Sequence, residues 1–207
     1  MIERAEVKGE EMDPVTRQDV QDLLFRNARS YHRWAPTPVT DEQIHAIFDL
    51  TKCGPTTANS SPARFIFVRS NSAKNKLMSC VLPTNRIQVE QAPVTAIIGM
   101  DERFADKLPF LFPQAPNARD WYADPEMARV TALRNSSLQG AYFIMAARLL
   151  GLDCGPMSGF DNAKVDAEFF AGTSVKSNFL CALGHGTSEH LPPRSPRFGF
   201  DDVCQFR

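Results

Sequence analysis

Arg29-Ser30-Tyr31-His32-Arg33-Trp34 gathers cations, a histidine and a hydroxyl at the end of a helical pattern. Guanidinium groups form charge-assisted hydrogen bonds with phosphate oxygens, so Arg29, Ser30, His32 and Arg33 could grip a phosphate. A solvated basic turn explains the same residues. Arg194 and Arg197 add two cations near the C-terminus. Gly54-Pro55-Thr56-Thr57-Ala58-Asn59-Ser60-Ser61-Pro62 joins a helix to a strand through small polar residues. Its backbone could approach a flat ring around Pro55, Thr56 and Thr57, and Asn59 offers both donor and acceptor; a capping loop is the plainer reading. Asn85 stands ahead of Gln91-Ala92-Pro93, where a lone asparagine is usually a turn residue. Pro156-Met157-Ser158-Gly159 could turn backbone N–H groups toward ring heteroatoms.

Other chemistries lack their residues. There is no GxxxxGK[ST] loop, and Gly184-His185-Gly186 lacks the third glycine and following helix of a dinucleotide fingerprint. The serine of Gly155-Pro156-Met157-Ser158-Gly159 falls one place late for a nucleophile elbow. His32, His45, His185 and His190 form no i, i+4 metal pair. Two Asn-x-Ser sites, at Asn59 and Asn135, carry no weight in a chain read as cytoplasmic. Where side chains do not carry a reaction, a bound cofactor supplies it.

A net charge of −1 without a basic block argues against nucleic acid or a membrane surface as partner. Five widely spaced cysteines with no CxxC pair fit reduced thiols in the cytosol. The acidic stretch 1–14 does not resemble a signal peptide and is expected to be loose, leaving 15–207 as one domain. No run of about 18 apolar residues is present to span a bilayer.

The elements that must position these residues alternate. Helical spacing covers Thr16 to Ala28, and Thr40 caps a second helix to Cys53. Ala63–Arg69 reads as a strand, Ser72–Val81 as a helix, and Pro93–Met100 as a strand buried on both faces. Between Arg103 and Asp124, three prolines exclude a continuous helix. Phe104, Phe110, Phe112, Arg119 and Trp121 there suggest a lid or pocket wall, or an irregular loop pinned by its aromatics. Pro125–Leu150 is the longest helix. Its stripe of Met127, Val130, Leu133, Leu138, Tyr142, Met145 and Leu149 must be buried in the core, at a subunit interface, or in both. A strand (Leu152–Met157), a short helix (Asn162–Phe170) and a strand (Ser174–Gly184) complete a layered α/β chain.

Taken in order, these motifs resemble the nitroreductase family over roughly Gln21 to Val203. Arg29-Ser30 with a nearby basic residue is similar to the family's N-terminal phosphate motif. GPTTANSSPARFIFV is similar to its (A/G)PSxxNxQPWxFxVV segment, and PMSGFD to its P-x-x-GFD motif. Arg197 before FGFDDV is similar to the basic residue ahead of the last family segment. LPFLFP, ARDW and the long helix through PMSGFD resemble the family's HadB/RutE group.

The resemblance implies an α+β, layered α/β/α fold: a mostly antiparallel sheet flanked by helices, in an intertwined homodimer. It implies tightly bound FMN, NADPH or NADH as hydride donor, and ping-pong reduction of a small acceptor. The subgroup implies malonic semialdehyde as that acceptor; the alternatives are a broad nitroaromatic or quinone reductase, or a non-catalytic flavin-binding protein. Arg29, Ser30 and Arg197 would hold the phosphate, and Asn85 with His32 or Arg33 the ribityl chain or pyrimidine edge. Pro156 to Gly159 would lie near the ring. Arg64, Arg119 or Arg134 would meet an acidic acceptor. The chain departs from the family at His32, Gln88, Ser158 and Ser61-Pro62-Ala63.

Overall fold

An antiparallel sheet of four strands forms the middle layer: β1 (Ala63–Val68), β2 (Val94–Asp101), β3 (Asp153–Met157) and β4 (Val175–Gly184), in the order β1-β2-β4-β3. The structure is a computed structural model describing residues 14–207. Apart from Pro14, the segment 1–14 expected to be loose lies outside the described residues. Pro14 itself opens α1 (Pro14–Gln21), which continues as a π-helical turn at Asp22–Arg26.

The remaining helices are α2 (Asp41–Thr51), α3 (Asn71–Cys80), α4 (Pro83–Gln91), α5 (Leu108–Leu111), α6 (Pro125–Leu149), α7 (Asn162–Phe169) and α8 (Phe200–Val203). Local chemistry sets their ends. Thr40 and Gln43 form a reciprocal capping box at the start of α2. Asp124 accepts from the Glu126 N–H, with Pro125 in the first turn of α6. Gly151, at φ +79°, closes α6 and lets the Leu152 N–H reach the Ala147 carbonyl at 2.9 Å.

Strand alternation sends successive side chains to two different layers. Ile97, Leu180, Ala182 and Met157 pack with Leu77, Val89 and Val165 from α3, α4 and α7. Ala96, Ile98, Cys181, Leu183 and Cys154 pack with Ile44, Ile47, Phe143 and Ala147 from α2 and α6. Every residue of β2 is buried, as its unbroken apolar run predicts for a central strand with helices on both faces. The result is the layered α/β/α arrangement expected.

Two readings need correction. Asn85 is no turn residue: it lies in α4, whose sequence PTNRIQVEQ buries only Gln88 and Val89 and so carries no apolar period. Phe104 is no lid or substrate residue. It is fully buried in a third cluster with Met100, Leu108, Ala118, Ala128 and Ala132, and meets Tyr122 edge-to-face at 4.8 Å. The proline-rich segment is thus a set of short helical turns seated on this cluster. Phe110 and Trp121 remain exposed, and Trp121 meets Phe112 at 6.2 Å.

Candidate functional site

The segment 28–34 runs along the free edge of β3. Ser30 bridges Cys154 in parallel, and the Tyr31 N–H donates to the Cys154 carbonyl at 3.1 Å. Trp34 then bridges Gly186, and Tyr31 covers Gly186 so closely that a Cβ there would lie 2.2 Å from its ring. This edge pairing brings N-terminal residues beside β3 and the C-terminal segment.

A cavity of about 400 Å³ opens there, lined by Arg29, Ser30, His32, Arg194 and Arg197, with Phe25, Ala28, Pro192, Pro193 and Ser195. Sequence reasoning had placed those five polar residues in one site. It missed a sixth, Arg148, which reaches the cavity from the last turn of α6 and donates to the Leu24 carbonyl at 3.0 Å. Its Nε is buried without a hydrogen-bond partner among the described residues. Spacing gave no hint of Arg148, because a basic residue in the last turn of a helix is also ordinary dipole compensation.

The arginines tie the wall together. Arg194 donates to the carbonyls of Arg26 (2.6 Å) and Ala28 (2.9 Å), and Arg29 donates to that of Pro192. Arg197 donates to those of Ser195 and Pro196, both at 3.0 Å. Each has N–H groups to spare, since a guanidinium carries five. Four cations around one opening suit a dianionic phosphate. Arg33 is absent from this wall; it donates to the His32 carbonyl.

Gln88 and Asn85, one turn apart on α4, tie this edge to β3. Gln88 is buried and donates to the carbonyls of Tyr31 (3.1 Å) and Gly155 (2.8 Å). Its oxygen lies 3.0 Å from His32 Nδ1. Asn85 donates to the Gly159 carbonyl at 3.0 Å, and a Cβ on Gly159 would lie 2.6 Å from its nitrogen. Ser158 is exposed beside it, with Pro156 half-buried and Met157 buried. His32, Asn85 and the turn 156–159 therefore belong to one connected edge.

The loop 55–61 lies elsewhere, at the start of β1 on the far side of the sheet. Asn135 accepts from the Thr57 N–H (2.8 Å), Thr56 Oγ1 accepts from the Ser61 N–H (3.1 Å), and Asn59 donates to the Leu111 carbonyl (2.8 Å). Ala58, Asn59 and Ser61 all hold left-handed φ between 40° and 50°. Such strain in non-glycine residues collects at functional sites. Pro55, Thr56, Thr57 and Asn59 are thus built into a rigid loop but not brought to the arginine cavity within one chain. Of the cations considered for an acidic acceptor, Arg64 is held by Asp101 (2.5 Å) and Arg119 by Asp106 (3.0 Å). Exposed Arg134 makes no ion pair among the described residues.

A three-layer chain with a basic cavity on the sheet edge has the nitroreductase fold. A Bacillus subtilis protein provisionally named a nitroreductase superposes with a TM-score of 0.85 at 18% identity, covering 92% of this chain and 100% of that one. An Exiguobacterium sibiricum protein, provisionally named a nitroreductase and solved in complex with FMN, gives 0.82 at 19% identity, covering 91% and 97%. The chain belongs to the nitroreductase family, whose profile matches residues 25–186. It is 55% identical over 182 residues to a Caulobacter vibrioides protein provisionally named NADH dehydrogenase/NAD(P)H nitroreductase, covering 88% of this chain and 93% of that one. To the similarly named HadB of Ralstonia pickettii it is 54% identical over 184 residues, covering 87% and 94%.

Proposed function

We propose that residues 15–207 form one FMN-binding domain of a homodimeric, cytoplasmic NAD(P)H oxidoreductase. The observation that carries this reading is the convergence of Arg29, Ser30, His32, Arg148, Arg194 and Arg197 on one cavity. Those residues fit a phosphate monoester: four permanent cations, a hydroxyl, and one buried N–H of Arg148 still unpartnered. Held there, FMN would supply the hydride-transfer chemistry between NADPH or NADH and a small acceptor.

The chain's own residues bind and orient. Arg29, Arg148, Arg194 and Arg197 neutralise the phosphate, and Ser30 donates to it. Asn85 and the turn Pro156–Gly159, fixed by the Asn85–Gly159 hydrogen bond, would hold the ring. Donors there stabilise negative charge gained on reduction. Pro55, Thr56, Thr57 and Asn59 reach the ring from the partner subunit. Phe110, Phe112 and Trp121 border the acceptor.

Malonic semialdehyde, reduced to 3-hydroxypropanoate, is the acceptor we assign, with Arg134 the cation for its carboxylate. Support comes from Arg64 and Arg119 being paired while Arg134 is not. The purified protein should be yellow, and anaerobic NADPH should bleach it. Alanine at both 29 and 197 should yield colourless protein of unchanged circular dichroism; a double variant that keeps its flavin refutes the phosphate assignment. Arg134→Ala should raise KM for malonic semialdehyde about tenfold or more, and leave KM for an uncharged quinone unchanged. Turnover of nitroaromatics and quinones but not of malonic semialdehyde would make this a broad reductase.

A further inference from the structure

We propose that Asn59 is a positioning residue for acceptor specificity: its hydrogen bond to the Leu111 carbonyl docks α5 on the strained loop and so fixes where Phe110 stands. This rests on the reading above, in which that loop meets the flavin ring and Phe110 borders the acceptor. α5 is a single turn, Leu108–Leu111. A turn that short has no stability of its own and takes its place from what holds its ends. At its start Leu108 is fully buried with Met100, Phe104 and Ala118. At its end the Leu111 carbonyl is one of the acceptors that a helix leaves unpaired. Asn59 Nδ2 donates to it at 2.8 Å, the one hydrogen bond between the loop and α5 among the described residues. A carbonyl can only accept, so the NH2 group of the amide faces it.

The loop is a firm base for that contact. Asn135 accepts from the Thr57 N–H, Thr56 Oγ1 accepts from the Ser61 N–H, and Arg64 donates to the Ser61 carbonyl at 3.1 Å. Arg64 is itself held by Asp101. Asn59 sits at φ +50°, a left-handed conformation that asparagine tolerates better than most residues. Ala58 beside it packs against the cluster that also takes Phe112.

Phe110 lies between the two held ends of α5 and is 84% exposed. It has too little contact of its own to fix its place, so the backbone beneath it does. Asn59 acts on it through the turn. A planar acceptor that packs on Phe110 meets a ring already ordered, and the cost of ordering it falls on folding rather than on binding. Without the hydrogen bond, that cost moves to the acceptor. Malonic semialdehyde is a small aliphatic acid with little surface to lay on an aromatic ring, so its binding depends far less on Phe110. Asn59 therefore governs how well the protein takes planar acceptors, and small aliphatic acids hardly at all.

The test compares the purified FMN-bound protein with two variants, Asn59→Asp and Asn59→Gly. Both accept a left-handed backbone; they differ in charge and flexibility and share only the loss of the donor. Hydrogen exchange read by mass spectrometry follows the peptide over residues 108–115, which holds the Phe112 N–H bonded to the Leu108 carbonyl. It should exchange about fivefold faster in each variant, while the peptide over β2 is unchanged. KM for a bicyclic quinone should rise about fivefold in both, and KM for malonic semialdehyde much less. A double-mutant cycle separates positioning from a general structural role. In a Phe110→Ala background, Asn59→Gly should raise the quinone KM no further, because the side chain it positions is gone. Full additivity with Phe110→Ala, equal KM shifts for both acceptors, or unaltered exchange in 108–115 overturns the proposal. Should one variant fail to fold, the other carries the same comparison. A wild type that holds no FMN overturns the functional reading instead, and the exchange measurement then decides the docking alone.

Discussion

Gly155 shows how little tolerance the edge of β3 has. A methyl group there would lie 2.0 Å from the Gln88 nitrogen and 2.4 Å from the Tyr31 carbonyl, and 3.0 Å from the Trp34 ring. Two of those neighbours are held in one hydrogen-bonded unit and cannot both retreat. Gly155→Ala should therefore cost about 3 kcal/mol, combining overpacking with a buried amide torn from its acceptors. Thermal unfolding of purified protein should show a midpoint roughly 10 °C lower, with flavin lost below that midpoint. A variant as stable as wild type, still yellow, would mean that the segment 29–34 is not clamped as described. Much of this site was legible before the fold: Arg29, Ser30, His32, Arg194 and Arg197 share a wall, and Asn85 meets Gly159. Arg148 was not, and Gln88 stood out only as a departure from the family pattern, not as the link between Tyr31, Gly155 and His32. A helix-terminal arginine and a glutamine in a polar helix each have an ordinary local use, and only the tertiary meeting of α4, α6 and the β3 edge gives them another. Phe104 misled for the converse reason, since an aromatic in a proline-rich stretch looks the same whether it faces a ligand or a core.

At the scale of elements, caps and periods were the reliable signals. Thr40 announced α2, the unbroken run announced β2, and Gly151 announced the end of α6. Helix α4 escaped because it turns mostly polar residues outward and buries a glutamine where an apolar residue would mark the period. The side on which α6 packs also escaped. Apart from Phe143, its buried face is a row of small and polar residues, among them Ala128, Thr131, Ala132, Asn135, Ser136, Gln139 and Gly140, while Leu133, Leu138, Tyr142 and Leu149 are exposed. The polar row has work to do: Asn135 and Gln139 accept from the N–H groups of Thr57 and Ala63, at 2.8 Å each, and so fix both ends of the strained loop. Gln139→Leu would keep the volume and orphan the Ala63 N–H at the first pair of β1. A cost of about 2 kcal/mol is expected, read as a lower denaturant midpoint with unchanged slope. An unaltered midpoint would show that water or backbone movement replaces the lost acceptor.

The molecule as a whole leaves its arginine-lined cavity and its strained loop on opposite edges of the sheet. β2 and β4 stand between, three strand spacings or about 14 Å. On the reading proposed above, one chain cannot close both around a single flavin, whereas a pair of chains can. In such a pair the exposed apolar face of α6 would supply the surface, with Leu23, Phe25, Phe198 and Phe200 also exposed. A two-fold pair is isologous, so residues equidistant from the axis meet one another's copies. Arg148 marks the cavity on α6, and Asn135 marks the loop through Thr57. If antiparallel copies of α6 are to bring one protomer's cavity to the loop of its partner, the axis must cross midway between 135 and 148, beside Ala141 and Tyr142. Both are exposed, and the small Ala141 allows close approach. Ala141→Cys, in a background with the exposed Cys53 and Cys204 changed to serine, should oxidise to a covalent dimer that keeps its FMN, since disulfides need Cα atoms within about 7 Å. Cysteine at Met127, exposed on the same helix far from that axis, should not cross-link to its own copy. Leu138→Glu should bury like charges at the pair and yield colourless monomers by sedimentation, because neither half-site alone surrounds the ring. Monomers that stay yellow, or cross-linking through 127 but not 141, would move the two-fold axis and with it the assignment of Pro55 to Asn59 to the flavin.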